Sequence, residues 1–239
     1  PTPEPIVFRE VSTRRGETAQ LRFADGTEIR LAPTSRLRYP ADMLGPSRDL
    51  ELDGEAYVVA GHPGGARAPL QIRTALGTTR DIGTRFVVRA LPDAPLEVVV
   101  VDGLVSLHAA VASDSAAGDS LVIPPGSLGT VTTAGALRAP RRVRVDAYVS
   151  WLDGRLSFVD TPVRDVLATL ARWRSFDYTI ADPAVGNRRF TGVVDRERTS
   201  EFLDVVALTA NLRLEWRGDS VVVRDDTSRV TAPRAPAIR

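Results

Sequence analysis

Hydrolytic chemistry in this chain would have to be built from His62 and His108, its only histidines, and from serines such as Ser127 in PPGSLGT. A serine nucleophile needs a G-x-S-x-G elbow between a strand and a helix, with a histidine base in reach. Ser127 instead follows a Pro-Pro turn, and each histidine lies near a strand end. Two isolated histidines, in a chain without cysteine, make a poor metal set. Carboxylates are plentiful, but they fit turns and surface better than a spaced acid–base pair. The stretch ALGTTRDIGTRFVVRAL (75–91) raises a phosphate-binding loop through Gly77-Thr78 and Gly83-Thr84. That loop requires a strand-to-helix junction and, in its P-loop form, a lysine. The chain has no lysine, all 31 basic residues being arginine, and Arg85, Phe86, Val87 and Val88 favour a strand. The pairs read better as corners, where glycine permits a bend or bulge and threonine re-enters the sheet. No nucleophile, base, metal set or cofactor motif is positioned, so a non-enzymatic protein without cofactor is expected.

Binding chemistry is also restricted. A net charge of +1 gives no strong field for nucleic acid. Arg141, Arg142 and Arg144 with Tyr148 form a short run that reads as a solvated junction. Trp151, Trp173 and Trp216 suit core or interface anchors, with sugar platforms as the other use. No apolar run approaches the roughly 20 residues that span a bilayer. The opening PTPEP, without Met, reads as a linker at a processing site, with further chain expected upstream.

The elements that would position any site fall into two textures. Asp-Gly occurs at Asp25-Gly26, Asp53-Gly54, Asp102-Gly103 and Asp153-Gly154, each between apolar-rich runs. Asp-Gly tolerates positive φ, so each is expected to be a tight hairpin turn. Leu21 and Phe23, then Ile29 and Leu31, alternate as one sheet face does. Residues 10–135 are therefore expected as an all-β domain, elongated and antiparallel, solenoid-like or sandwich-like. After Ala139-Pro140 helical spacing appears. PVRDVLATLARWR (162–174) places Val163, Val166, Leu167, Leu170 and Ala171 on one stripe, with Thr161 as cap, Pro162 in the first helical position and Asp165 near the positive end. A second helix is expected near 200–210, with Phe202, Leu203, Val206, Ala207 and Ala210 inward and Thr199 as cap. Strands flank both helices at 155–159, 176–180, 188–194, 212–216 and 220–224. This double strand–helix–strand pattern predicts one small sheet covered by two helices over 150–225. Residues 1–9 and 136–149 read as linkers, and 226–239 as a disordered tail.

The order of motifs resembles the periplasmic domain of the FecR family over residues ~8–135. The carriers are Gly16-Glu17, Asp25-Gly26-Thr27, Ala32 to Ser35, Gly54-Glu55-Ala56-Tyr57, Pro69 to Thr74, Gly83-Thr84 with Phe86, and Asp102-Gly103. Asp102 stands where Glu is commoner in that family, and Leu70 where Phe is commoner. Residues ~150–225 resemble the STN module of secretins and TonB-dependent signalling receptors, through Trp151 to Phe158, Pro162 and Phe190-Thr191-Gly192. A related module closes many FecR-family chains.

The resemblance implies the periplasmic part of an anti-sigma regulator anchored in the inner membrane. Such a regulator would meet the N-terminal signalling domain of an outer-membrane TonB-dependent transducer, and would reach an extracytoplasmic-function sigma factor through a cytoplasmic domain that is not in this chain. Contact is expected through exposed sheet edges with side-chain anchors. The anchors expected are Trp173, Phe176, Tyr178, Arg188 and Arg189, although Trp173 and Phe176 also fit a core and the arginines a solvated surface. The alternative is a periplasmic module that binds a glycan or peptidoglycan fragment.

Overall fold

The computed structural model describes residues 6–61, 68–81, 83–110, 120–196 and 199–226. The chain divides into two compact units, one ending at Val149 and the other beginning at Ser150. The fold is mainly β, with a smaller α+β part at the C-terminal side, as the sequence predicts. Among the described residues no helix is long and apolar enough to cross a membrane.

The first unit contains β1 (Phe8–Ser12), β2 (Ala19–Arg22), β3 (Glu28–Leu31), β4 (Arg36–Pro40), β5 (Asp49–Val59), β6 (Gln71–Arg73), β7 (Gly77–Asp81), β8 (Arg85–Ala90), β9 (Leu96–Asp102), β10 (Val105–Ala109), β11 (Ser120–Ile123), β12 (Ser127–Val131), β13 (Leu137–Arg142) and the short α1 (Asp146–Val149). Strand β5 organises it. Its first half pairs with β4 and β6, in a layer ordered β1-β4-β5-β6-β7-β10-β11. Its second half pairs with β3 and β8, in a layer ordered β2-β3-β5-β8-β9-β12-β13. Leu50, Leu52, Ile72 and Leu107 from one layer and Ile29, Leu31, Phe86, Val88, Val98 and Val100 from the other fill a single core. This is the sandwich-like form of the expectation.

Of the Asp-Gly pairs, one is the hairpin turn the sequence suggests: Asp25-Gly26 joins β2 and β3, with Leu21 opposite Ile29. Asp53-Gly54 lies inside β5, at the point where that strand passes from one layer to the other. Gly54 has φ +113°, and an added Cβ would meet the backbone and side chain of Ser35. Asp102-Gly103 is a corner between β9 and β10, which pair with different neighbours. Asp153-Gly154 joins a 3-10 turn at Ser150–Asp153 to the next strand. All four glycines take positive φ. The dipeptide thus reports the backbone angle correctly but not whether the flanking strands pair. The Gly83-Thr84 pair is a corner, as expected. Asp81 accepts hydrogen bonds from Gly83 N (2.9 Å) and from the Thr84 hydroxyl. Gly103 packs against Gly83, so the two corners meet.

Residues 136–149, expected as a linker, instead carry β13, paired antiparallel with β12, and α1. Val143, Val145, Tyr148 and Val149 give the segment an apolar side, and it packs on the outer face of the sheet.

The second unit contains β14 (Arg155–Pro162), α2 (Val163–Arg174), β15 (Asp177–Ile180), α3 (Pro183–Gly186), β16 (Arg189–Asp195), α4 (Thr199–Thr209), β17 (Leu212–Arg217) and β18 (Ser220–Asp225). The single small sheet is not what forms. Strands β14 and β16 make one antiparallel pair, and β15-β18-β17 make a separate sheet. The closing strand β18 is the reason: it pairs parallel with β15 and antiparallel with β17, so neither long helix joins neighbouring strands. The α2 stripe buries Val163, Val166, Leu167, Leu170 and Ala171 as its spacing predicts, and Trp173 as well. Its start differs. Pro162 is the N-cap residue, and the Thr161 hydroxyl turns back to Val159 O. Val163 N donates instead to Arg188 O at 2.8 Å, a neighbouring strand end replacing a side-chain cap. Phe158, Phe190 and Phe202 form the second core, with ring centroids 5.4 to 6.3 Å apart. His62, the opening PTPEP and the tail from Thr227 lie outside the described residues.

Candidate partner-binding site

The groups that could do chemistry are dispersed. Ser127 is buried in β12. His108 and Ser106 sit two residues apart on one face of β10, their Nε2 and Oγ 2.8 Å apart. Among the described residues no carboxylate is bonded to the other ring nitrogen, so the third member of a triad is not assembled there. Nor is any group of three His, Cys, Asp or Glu placed to hold a metal among the described residues.

The motif residues of the first unit are structural in their contacts. Asp25 and Arg48 form a buried ion pair, with side chains 0% and 4% exposed and Nη2–Oδ2 at 2.7 Å. Arg48 also donates to Thr27 Oγ1 and Gly61 O. Glu55, buried, takes Arg89 at 3.0 Å, and Phe86 is fully buried. Glu17 accepts from Arg14 N at 2.8 Å beside Gly16, which has φ +74°. Asp102 meets Arg85 at 3.2 Å on the surface, next to Gly103. Phe86 belongs to the core, and the polar residues hold turns, corners or the layer change.

The five expected anchors do not share one surface. Trp173 is 3% exposed, packed against the tilted Trp151 ring at 5.8 Å and covered by the Arg196 guanidinium at 5.3 Å. Arg188 donates to Ala210 O (3.0 Å) and Asn211 O (2.6 Å) at the C-terminal end of α4 and meets Asp225 at 2.8 Å. A cation there satisfies carbonyls the helix leaves open. Arg189 is exposed and donates to Asp160 O at 2.8 Å.

Phe176 and Tyr178 belong to a different arrangement. The register places Tyr178 on β15 opposite Val221 on β18, and Val221 opposite Trp216 on β17. Tyr178, Val221 and Trp216 therefore form one cross-strand row. Val221 is fully buried, while Trp216 is 50% exposed and Tyr178 half-buried. Phe176, itself buried, closes the end of the row edge-on to Trp216 at 6.0 Å. Burial, then the nearby charge of Asp165, raises the Tyr178 phenol above its ordinary pKa. Both strands carrying the exposed aromatics are sheet edges, since the order is β15-β18-β17. A half-exposed tryptophan beside free backbone groups is the arrangement a protein partner uses: the ring supplies area and the edge supplies hydrogen bonds. The sequence offers Trp216 as a core or interface anchor but leaves it out of the five expected partner anchors. Its position near the strand's end, just ahead of the Gly218-Asp219 turn, was the available signal.

Comparison with known proteins gives two family matches. Residues 9–106 match the model described as FecR protein, and residues 155–223 the model described as FecR, C-terminal. Two crystal structures of a candidate anti-sigma factor from Parabacteroides distasonis ATCC 8503 share the fold. Each superposes with a TM-score of 0.79, at 23% and 24% identity, over 92% and 91% of this chain and 99% of that one. No curated protein matches. With the corners of its first unit and the two small sheets of its second each falling within one of the family's models, the chain belongs to the FecR family.

Proposed function

We propose that this chain is the periplasmic sensor part of a transmembrane anti-sigma regulator. It acts by protein–protein binding and not by catalysis. The second unit, similar to an STN module, receives the N-terminal signalling domain of an outer-membrane TonB-dependent transducer. The first unit carries the signal toward an inner-membrane anchor, and a cytoplasmic domain outside this chain holds the sigma factor. The FecR-family membership and the likeness in fold to a candidate anti-sigma factor support the regulatory reading. The observation that carries the binding mode is the row Tyr178–Val221–Trp216, whose half-buried Tyr178 and half-exposed Trp216 sit on the two edge strands beside a buried Val221.

The test is a sigma-dependent transcription reporter in the native host with Trp216→Ala and Tyr178→Ala at the chromosomal locus. The expected result is loss of the outer-signal response with protein level and melting temperature kept. A full response from both variants, at normal protein level, contradicts the site. The rival glycan reading would use Trp216 as a stacking platform. Trp216-dependent retention on peptidoglycan fragments, with the reporter unaffected, would favour it.

A further inference from the structure

The outer face of one sandwich layer carries a buried apolar row. In β9 (LEVVVVD), Val98 and Val100 point into the sandwich core, and Val99 points the other way. An outward residue on a sheet face is ordinarily wet, yet Val99 is 1% exposed, and Val87 and Leu128 are equally covered. The register links them: Tyr57 lies opposite Val87, Val87 opposite Val99, and Val99 opposite Leu128. The row crosses β5, β8, β9 and β12.

Its cover is the chain's own next segment. After β13 ends at Arg142 the backbone doubles back, and Val143, Val145, Tyr148 and Val149 pack on the row. The Tyr148 ring receives the Arg89 guanidinium at 5.1 Å, and Arg89 is held from below by Glu55 (3.0 Å) and Glu97 (3.5 Å). Backbone ties are sparse. Val143 N donates to Gly126 O at 3.1 Å, whereas Ala147 N, Tyr148 N and Val149 N donate within the segment, to Arg144 O and Val145 O. A segment held by side chains, with few ladder bonds to its support, opens at lower free energy than the sheet beneath it.

We propose that Val143–Val149 is a releasable strap. It lifts from Tyr57, Val87, Val99 and Leu128 while the sandwich stays folded. It runs without interruption into Ser150, the first residue of the second unit. Its use in signalling rests on the proposed function, but its release is a property of this chain alone.

The chain contains no cysteine, so single thiols report cleanly. Val98→Cys and Val99→Cys, in the full chain, place a thiol on opposite faces of one strand. Iodoacetamide labelling in native buffer, followed by intact mass, reads their opening. The expected result is labelling of Val99→Cys at least ~10-fold faster than Val98→Cys, because only the strap must move. Tyr148→Ala should accelerate Val99→Cys several-fold further and leave Val98→Cys unchanged. Equal rates at the two positions, accelerated equally by Tyr148→Ala, would mean that the segment opens only with the sandwich, and would overturn the proposal. Hydrogen exchange on the unsubstituted chain decides the same question should a variant fail to fold: the Val143 amide must exchange faster than the paired amides of β9 and β12. Either readout can fail while the transcription reporter still responds, so the strap and the sensor reading stand or fall separately.

Discussion

The two units fix the turns and crossings of their chain with different chemistry. In the first unit the junctions are polar. Asp25, Thr27, Arg48 and Gly61 O make one buried network, and Thr13, Ser35 and Glu55 N make another around Gly54, with Ser35 N to Thr13 Oγ1 at 3.0 Å and Glu55 N to Ser35 Oγ at 2.9 Å. In the second unit the junctions are aromatic: Phe158, Phe190 and Phe202 on one side, Trp151 with Trp173 on another. Directional polar contacts fix one route for a chain that crosses between layers and tolerate little change. Aromatic packing is less directional and leaves short sheets with open edges. The first unit has the character of a frame, and the second that of a surface.

The contrast is broken or sharpened by substitutions of decreasing effect. Arg48→Ala leaves Asp25 buried and unpaired, and should destabilise the first unit by about 3–5 kcal/mol, measured by urea unfolding with hydrogen exchange on β2–β5. Phe202→Ala and Trp173→Ala remove core aromatics and should each cost about 3–5 kcal/mol, with the exchange changes confined to the second unit. A wild-type melt for Trp173→Ala would return that residue to the list of surface anchors. Gly54→Ala should cost about 1–3 kcal/mol, since the new Cβ meets Ser35 and the φ is strained. Trp216→Ala should stay within about 1 kcal/mol of the parent in stability, while weakening partner binding by about 2 kcal/mol or more.

The smallest effect is one of pH. Burial, then Glu97, raises the Tyr148 phenol above its ordinary value of 10.0 against the opposing charges of Arg89 and Arg141, and Tyr178 is raised as well. A raised folded pKa means that the neutral phenol is the form the fold favours. Its contribution is therefore present below pH 10 and is lost as pH climbs through the folded value. Ultraviolet titration should show both phenols ionising later than in unfolded chain, with stability falling over that alkaline range and not below it.

Much of this was legible in the chain. The helix stripe from Val163 to Ala171 follows directly from spacing, and the strands near both helices were placed to within a few residues. What was not legible is which strand pairs with which. Asp53-Gly54 and Asp25-Gly26 are the same dipeptide between similar runs, yet one is a layer crossing and the other a hairpin. Positive φ is a local property, whereas pairing is decided by distant strands such as β8 and β3. The site fails for the same reason. Tyr178 and Trp216 are 38 residues apart in sequence, and only the parallel pairing of β15 with β18 puts them in one row. Trp173 misleads in the opposite direction, because a helix-end aromatic looks available until Arg196 and Trp151 are seen to cover it.

The most direct test of the division between frame and surface is photocrosslinking in the native host. A benzoylphenylalanine is placed in turn at position 216 and at position 122, a site 53% exposed on the edge strand β11 of the first unit. The account predicts an adduct with the signalling domain of an outer-membrane transducer from 216 and none from 122. The same adduct from 122, with none from 216, would contradict it.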